Sequence, residues 1–340
     1  MLRYLIEGRV ARQQFRNRAV APAQVGEAKS ILFSVFSRYG DGIISFKVIN
    51  EFIARHPGKT YYLVTSHQLR PYAEALVGLG VNLRGVRKRN FYQLLRIIGY
   101  LKRADIDLGF NPWGSGADSE FFLTFAREFF TFRSMKFALT ANLYFRVRHY
   151  LGLPSPEGGE KGVVLPKRVH RILVSPFSTD IRKSLSSADI KALLAWLKHK
   201  FPESRAVLCL NPGDGGKVAD IGEVDFFIFG KSEGRSRQFL RMVKECNLFV
   251  GVDAGPLHLA DALGKPGLGL FGPSAPETVL DVGSCVVPFR AAELQGVFCA
   301  LQSCPEPHCL HALFQNGLEK HRYSPSLHPV EERTTCRFLI

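Results

Sequence analysis

The sequence predicts an α/β protein made of two βα domains that face a central cleft. Three observations lead to this prediction. From Ile31 onward, short apolar runs alternate with longer amphipathic stretches, a pattern typical of parallel strands joined by crossover helices. A segment rich in proline and glycine at residues 151–167 interrupts the alternation, which restarts at residue 171. The length of 340 residues suits two domains of about 150 residues each.

The first half of the chain contains the elements of one such domain. The apolar run ILFSVFS at residues 31–37 predicts a buried strand, and the following helix over 43–55 ends at His56-Pro57-Gly58. Further strands are predicted at 60–66, 81–86 and 106–110, and further helices at 71–78, 91–103 and 119–130. The predicted apolar side of the helix over 91–103 consists of Leu94, Leu95, Ile97, Ile98 and Leu101.

The second half repeats the alternation. Ser186 and Asp189 have the spacing of a capping box, which predicts a helix that starts there and runs to Lys200. The segment 211–224 is too rich in glycine to predict a helix. The remaining predicted elements are strands at 171–175, 206–210, 225–229, 247–252 and 267–271, and helices at 235–245 and 256–263.

These patterns divide the chain into five parts. We expect a basic extension at 1–28, a first Rossmann-like domain at 29–152 and a linker at 153–168. A second Rossmann-like domain at 169–315 and a tail at 316–340 complete the chain. The extension has a rough apolar helical face interleaved with five arginines, which suits either an anionic membrane surface or packing on the body as a helix or frayed terminus.

The charge is distributed unevenly along the chain. Of the formal net charge of +15, residues 1–152 carry +13, from 23 Lys and Arg against 10 Asp and Glu. We therefore expect the first half to meet an anionic partner. Seven cysteines do not suggest a secreted disulfide framework, and the N-terminus lacks the apolar core of a signal peptide. These features, with no apolar run long enough to span a bilayer, lead us to expect a cytoplasmic protein.

The segment FVGVDAGPLHLADALGKPGLGLFGPSAPE at residues 249–277 carries the most specific pattern. A strand ends at Asp253, small residues make a tight turn, and a helix starts near Pro256. Such a helix start binds phosphate groups well, through free N–H groups and the positive helix end, and His258 adds a side-chain donor. The alternative is a tight strand–helix connection with a buried histidine.

This segment, with Leu270-Phe271-Gly272-Pro273-Ser274, resembles the C-terminal signature of the glycosyltransferase family 9 heptosyltransferases, enzymes of the lipopolysaccharide core in Gram-negative bacteria. The resemblance extends over about residues 31–315 and implies the GT-B fold. One departure is Ala254, where the family usually has Thr or Ser. For the donor diphosphate the resemblance implies two sets of residues: Ser178, Thr179 and Lys183 in the loop SPFSTDIRKSL, and Ala254, Gly255, Pro256, Leu257 and His258.

The resemblance assigns Asp41, Asp253 and Asp214 too, and position in the sheet and charge add three candidates for the acceptor. Asp41, between Gly40 and Gly42, matches the family's catalytic base, and its alternative role is that of a helix N-cap. Asp253 is expected to contact the donor sugar, and Asp214 in the turn NPGDGGK the nucleoside. Trp113, Arg38 and Arg89 are expected to contact the acceptor.

Two groups of residues contain potential metal ligands, but metal binding is not the favoured role of either group. Asp105-Ile106-Asp107 forms the D-x-D triplet that binds a metal in another glycosyltransferase class. Cys299, Cys304 and Cys309, with His308 and His311, do not have the usual spacing of structural zinc, and packing is the favoured role. We expect no metal and no other cofactor. The basic and aromatic residues near Arg84–Tyr92 also suit nucleic acid, but no recognised nucleic-acid module accompanies them.

The resemblance thus implies an inverting, metal-independent transferase that moves a heptose from ADP-heptose to the Kdo–lipid A side of the lipopolysaccharide inner core. Its expected partners are a nucleotide-sugar, an anionic glycolipid and the cytoplasmic face of the inner membrane, and not nucleic acid. The alternatives are another nucleotide-sugar donor, or a non-catalytic GT-B protein that binds a glycolipid.

Overall fold

The structure is a computed structural model, and the chain divides in it into two compact units. It describes residues 22–78, 80–86, 90–113, 117–132, 141–156, 165–230, 232–294, 297–299, 308–315, 317–322 and 331–333. The first unit holds the sheet formed by the first half of the chain, and residues 231–237 group with it. The second unit holds the other large sheet.

The first unit contains a five-stranded sheet in the order β3-β2-β1-β4-β5, in which every pairing is parallel. Its strands are β1 (Ser30–Val35), β2 (Thr60–Ser66), β3 (Val81–Val86), β4 (Ile106–Asn111) and β5 (Ala126–Thr131). Its helices are α1 (Pro22–Glu27), α2 (Tyr39–Arg55), α3 (Arg70–Leu76), α4 (Phe91–Arg103), α5 (Ala117–Leu123) and α6 (Leu143–Tyr150).

The predicted helix over 119–130 is wrong in its second half, which forms β5 at the edge of the sheet. The apolar residues of this segment match the helical and the strand period alike. Tertiary pairing decides between them: Gly109 of β4 lets Ala126 and Phe129 approach so closely that an added Cβ would lie 3.0 Å from the Ala126 Cβ. The helix therefore ends at Leu123 and the aromatic residues after it pack in the sheet.

The second unit contains a six-stranded parallel sheet in the order β11-β10-β9-β6-β7-β8. Its strands are β6 (Arg171–Ser175), β7 (Arg205–Leu210), β8 (Asp225–Ile228), β9 (Leu248–Val252), β10 (Gly267–Phe271) and β11 (Val286–Arg290). Its helices are α7 (Ser187–Lys200), α8 (Glu233–Glu245), α9 (Gly255–Ala262), α10 (Pro276–Val279) and α11 (His308–Gln315), and the first five residues of α8 group with the first unit. Strand β11 and helix α11 were not predicted.

In both sheets the order in which successive strands are added reverses at a central strand. In the first sheet β1 lies between β2 and β4, and in the second β6 lies between β7 and β9. Ligands of open parallel sheets bind outside the carboxyl ends of the strands at such a switch point. The segments that follow β1 and β4, and those that follow β6 and β9, are therefore the places to look for a site.

The two termini are partly structured. Residues 22–28 of the predicted extension pack on the first unit, where Val25 is buried and the Lys59 Nζ donates to the Ala28 carbonyl over 2.6 Å. In the predicted tail, Leu318 belongs to the core of the second unit. A short strand β13 (Glu331–Arg333) pairs with β12 (Val297–Cys299).

Candidate functional site

The switch point of the second sheet assembles a buried charged group. The Lys183 Nζ donates to the Asp253 Oδ2 over 2.6 Å, although the two residues are seventy positions apart in the chain. The His258 Nε2 lies 3.4 Å from the other carboxylate oxygen of Asp253. Asp253 and His258 are each about 95% buried, whereas a quarter of the Lys183 side chain is exposed. We call these three side chains the Lys183–Asp253–His258 cluster.

The two partners of Asp253 keep its carboxyl charged. Burial alone would raise the pKa of Asp253, but the Lys183 ammonium and the hydrogen bond and charge of His258 hold that pKa far below its usual range. The result is an anion fixed at the carboxyl end of β9, with a lysine on its solvent side.

Lys183 is positioned by a loop that is rigidly hydrogen-bonded. The loop starts after β6, and the Asp180 side chain accepts the Arg182 N–H over 3.1 Å at the start of a short 3-10 helix, Ile181–Lys183. Inside the loop, the Ser178 N–H donates to the Ser184 hydroxyl over 3.0 Å. Ser178 and Thr179 are held on the same loop as Lys183, and their expected contact with the donor diphosphate stays a prediction.

Helix α7 follows this loop and begins at the predicted capping box, which the structure confirms. The Ser186 hydroxyl accepts the Asp189 N–H, and the Asp189 carboxylate accepts the Ser186 N–H. Asp189 also contacts the His311 Nδ1 over 2.7 Å. His311, one of the potential metal ligands, therefore contacts a carboxylate that caps a helix.

The start of helix α9 offers fewer backbone donors than the sequence suggested. Ala254 is the N-cap, and its carbonyl accepts the N–H groups of Leu257 (3.0 Å) and His258 (3.4 Å). Pro256 has no N–H. Within Ala254–His258, only Ala254 and Gly255 therefore have N–H groups that the Ala254 carbonyl does not accept. The N–H groups of the later residues are used within the helix.

Two polar atoms at this edge are buried and lack a hydrogen-bond partner among the described residues: the Ser175 hydroxyl and the His258 Nδ1. Ser175 is the last residue of β6 and pairs with Gly251 of β9. Buried polar atoms are nearly always hydrogen-bonded in proteins, so unsatisfied ones beside a charged cluster point to a ligand site. The sequence analysis missed Ser175, because nothing marks the hydroxyl of a strand residue as orphaned before the packing is known.

Asp214 has a role within its own turn. Its carboxylate accepts the Asn211 N–H over 2.9 Å and pairs with the Lys217 Nζ over 2.8 Å. Gly213 precedes it with φ +96°, the left-handed conformation that favours glycine. These contacts and this conformation account for the aspartate and the glycine in the turn, and neither role involves a ligand.

The switch point of the first sheet holds Asp41. Helix α2 begins earlier than predicted, after Arg38, so Asp41 is the third residue of the helix and not its N-cap. The side chain is half-buried, and Arg38 beside it is exposed. A Cβ on Gly42 would lie 3.0 Å from Leu69 and 3.2 Å from the Ser37 hydroxyl, so a larger residue here would require these side chains to shift.

Trp113 lies at the same edge of the first sheet, two residues beyond β4. Its ring stacks on the Phe132 ring, with 5.7 Å between the ring centroids. Its backbone N–H donates to the Asn111 side-chain oxygen over 3.1 Å. The structure thus places Asp41, Arg38 and Trp113 after the two neighbouring strands β1 and β4. Arg89, the other predicted acceptor residue, lies outside the described residues.

The structure gives the Asp105-Ile106-Asp107 triplet a role in joining strands. The triplet lies at the amino end of β4, opposite the edge at which the switch-point residues lie. The Asp107 carboxylate accepts the N–H groups of Lys29 and Ser30 over 2.8 and 3.0 Å, and Asp105 pairs with Arg127. Hydrogen bonds from the backbone, with burial opposing them, lower the pKa of Asp107. The Asp107 carboxylate thus joins β1 to β4, and the Asp105 carboxylate joins the start of β4 to β5.

In the part of the chain that the structure describes, no group of three or more His, Cys, Asp or Glu side chains is arranged to hold a metal ion. Cys304 lies outside that part, so the packing role proposed for Cys299, Cys304 and Cys309 remains a prediction. Among the described helices, none has both the length and the apolarity that a membrane span requires.

This architecture, two parallel α/β units with polar groups at their switch points, is that of the GT-B fold. The model of glycosyltransferase family 9 (heptosyltransferase) matches residues 236–308, which include Asp253 and His258. The predicted resemblance to that family is confirmed over this range. No curated protein sequence matches the chain.

Solved structures of this family share the fold. The ADP-heptose lipopolysaccharide heptosyltransferase II of E. coli is 16% identical, with a TM-score of 0.58, over 77% of this chain and 90% of that one. The E. coli heptosyltransferase WaaC with ADP-2-deoxy-2-fluoro heptose is 16% identical, with a TM-score of 0.54, over 86% and 98%. A family 9 glycosyltransferase of Veillonella parvula is 16% identical, with a TM-score of 0.54, over 76% and 86%.

Proposed function

We propose that the protein is an inverting glycosyltransferase that moves a heptose from ADP-heptose to an inner-core sugar on the Kdo–lipid A side of lipopolysaccharide. The observation that carries this proposal is the Lys183–Asp253–His258 cluster at the switch point of the second sheet. Two members of the cluster lie inside the family-matched range, and the similar E. coli structures include one with ADP and one with a fluoro analogue of ADP-heptose.

The donor diphosphate binds, in this proposal, next to the cluster. Negative charge builds on the diphosphate as its bond to the anomeric carbon breaks, and a nearby ammonium and hydroxyl donors stabilise that charge. Lys183 supplies the ammonium, Ser178 and Thr179 supply hydroxyls, and the start of helix α9 supplies a positive helix end. Asp253, fixed as an anion, accepts hydrogen bonds from hydroxyls of the donor sugar.

Asp41 acts as the base on the acceptor. The acceptor oxygen attacks the anomeric carbon from the face opposite the leaving group, so a carbon–oxygen bond forms as the bond to the diphosphate breaks. The proton of the acceptor hydroxyl passes to the Asp41 carboxylate, and ADP leaves with the electron pair of the broken bond. The configuration at the anomeric carbon is thereby inverted. No step in this scheme calls for a metal ion, and transfer that persists in excess EDTA is the expected result.

The acceptor is an anionic glycolipid and the protein works on the cytoplasmic face of the inner membrane. The support for this part is the net charge of +13 in residues 1–152, against +2 in the remainder. Phosphorylated lipid A and the carboxylates of Kdo match such a charge. Arg38, exposed beside Asp41, and Trp113 are the described residues that we assign to the acceptor.

The deciding experiment incubates the purified chain with ADP-heptose and a truncated Kdo–lipid A acceptor, and detects the product by mass spectrometry. Transfer with inversion supports the proposal. Transfer only from another nucleotide-sugar in a donor panel would change the donor and keep the mechanism. Binding of the glycolipid with no transfer from any donor would replace the enzyme by a glycolipid-binding protein.

A further inference from the structure

The outer face of helix α4 in the first unit exposes large apolar side chains. Phe91 is 56% exposed, Tyr92 81% and Leu95 47%. The sequence analysis placed Leu95 on the core side, and the structure corrects this: Leu94, Ile97 and Leu101 are the buried residues of the helix. The three exposed residues lie in the first two turns and form one apolar cluster on the solvent side. Phe91 and Leu95, four residues apart, share a face of the helix, and the Tyr92 ring contacts the Phe91 ring at 6.4 Å between centroids.

Cations continue this face toward the end of the helix. Arg96, Lys102 and Arg103 are all exposed, and the helix sequence FYQLLRIIGYLKR contains no acidic residue. The helix therefore presents to solvent an apolar half followed by a cationic half, while its other side is anchored in the core. This arrangement is typical of helices that lie on anionic membrane surfaces.

A groove of about 1060 Å³ runs beside this face, between α4, strand β3 and the start of α3. Four arginines line it, Arg70, Arg84, Arg96 and Arg103, and Glu233 is its acidic lining residue. Arg70 pairs with Glu74 over 2.8 Å, but the groove keeps an excess of positive charge. Tyr92 and Leu95 belong to the exposed apolar cluster and line the groove as well, so the charged and apolar parts form one continuous surface.

The arginines are held in place by neighbouring groups. The Arg84 guanidinium lies 4.4 Å from the centre of the Tyr100 ring, and the Arg103 Nε donates to the Gly99 carbonyl over 3.1 Å. At the floor of the groove, the Gln93 side chain donates to the Gly85 carbonyl over 2.8 Å, which ties α4 to β3. A surface with positioned cations loses less conformational entropy when it binds phosphate groups.

We infer that the outer face of α4 and this groove form a docking surface for an anionic phospholipid membrane. The apolar cluster enters the boundary between headgroups and acyl chains, and the arginines neutralise lipid phosphates. A single-stranded nucleic acid would also meet the charge, but it is bound by aromatic faces inside the basic groove. Tyr92 and Tyr100 do line the groove, but Phe91 lies outside its lining and Leu95 has no ring on which a base could stack. Acyl chains, and not bases, therefore match the whole exposed apolar cluster.

Cosedimentation of the full chain with lipid vesicles tests this inference. We expect binding to vesicles of phosphatidylcholine with phosphatidylglycerol, weak binding to phosphatidylcholine alone, and weaker binding as salt rises. The double substitution Arg96→Glu/Arg103→Glu should weaken binding at least about tenfold, because each cation near such a surface contributes to the affinity. Tyr92→Ser/Leu95→Ser should reduce binding by a similar factor.

The matched controls lie on the second unit. Arg241→Glu/Lys244→Glu makes the same change of net charge, and Phe226→Ser removes a side chain that is 59% exposed. These controls should bind as the unsubstituted chain does, with the fold of every variant checked by circular dichroism. Equal losses in the controls and the α4 variants would overturn the inference, as would tighter binding to single-stranded RNA than to the anionic vesicles. Because the assay contains neither donor nor acceptor, its failure and that of the proposed transfer are distinguishable.

Discussion

The two switch points occupy equivalent places in two similar sheets, but their polar residues are arranged differently. In the second unit a buried carboxylate, Asp253, already has a cationic partner in Lys183 and a second contact in His258. In the first unit Asp41 is half-buried in the opening turn of a helix, next to an exposed arginine. The topology of the sheet thus sets where a site lies, whereas the loops determine how deeply its carboxylate is buried. We call the nearly buried group around Asp253 the closed cluster and the half-buried position of Asp41 the open edge.

The largest effect should come from the open edge. Asp41→Asn keeps the size of the side chain but removes the base, so kcat should fall by about 10²- to 10⁴-fold. The affinity for ADP should stay unchanged, because Asp41 is not assigned to the donor. Transfer assays and calorimetry measure the two quantities. Glu27→Gln, an exposed acid of the same unit, is the control, and full activity of Asp41→Asn would end its assignment as the base.

The closed cluster should respond in two ways when its lysine is removed. Lys183→Ala leaves the Asp253 charge without its ammonium, which should lower the stability of the second unit by about 3 kcal/mol. The affinity for ADP should fall about tenfold to a hundredfold, through loss of a charged hydrogen bond. Thermal unfolding and calorimetry measure these effects.

The comparison for this substitution is Lys191→Ala. Lys191 pairs with Asp220 on the surface, where both side chains are about half exposed, so its removal should cost less than about 1 kcal/mol. An equally small loss for Lys183→Ala would show that the buried cluster contributes no more than a surface ion pair.

The pH dependence of stability should show the buried charge of Asp253 in the closed cluster. The pKa of Asp253 is lower in the folded protein than in the unfolded chain, so its ion pair contributes fully above the unfolded value of about 3.9. This contribution is lost as the pH falls below that value. Denaturant unfolding measured from about pH 7 to about pH 3 should show that the free energy of unfolding falls less steeply with acid for Asp253→Asn than for the unsubstituted chain. Parallel declines would contradict the depressed pKa.

The smallest effect on activity should come from the opposite end of the first sheet. Asp107→Ala removes the acceptor for the Lys29 and Ser30 N–H groups and should destabilise the first unit by about 1–3 kcal/mol. Its kcat should remain within about twofold, since that edge takes no part in the proposed chemistry. A large loss of transfer that added Mn²⁺ restores would contradict this and indicate that Asp107 binds a metal.

Local signals were enough to predict much of the fold. The capping box at Ser186 and Asp189 depends on two residues three positions apart, and it is formed as predicted. The alternation of strands and helices is also a local pattern, and it predicted the two parallel sheets. Where a segment fits two periods, as Ala126–Thr131 does, only its pairing with β4 decides, and the prediction of a helix failed there.

The candidate site could be predicted only in part. The family pattern indicated Lys183, Asp253 and His258 individually, but their contact depends on β6 and β9 being neighbours, a long-range fact that local patterns do not contain. The same limit applies to Leu95, whose helical position fits the core side nearly as well as the solvent side. The orphaned Ser175 hydroxyl is a product of packing and has no sequence signal.

The contact between Asp189 and His311 has a consequence for truncation. His311 lies beyond the family-matched residues 236–308, yet it touches the carboxylate that caps the helix after the Lys183 loop. A shortened chain ending just after the matched range would retain each member of the Lys183–Asp253–His258 cluster. It would lose the side chain that braces the helix start behind the lysine. The start of the helix that follows the Lys183 loop is therefore braced by a C-terminal segment to which no residue of the ionic cluster belongs.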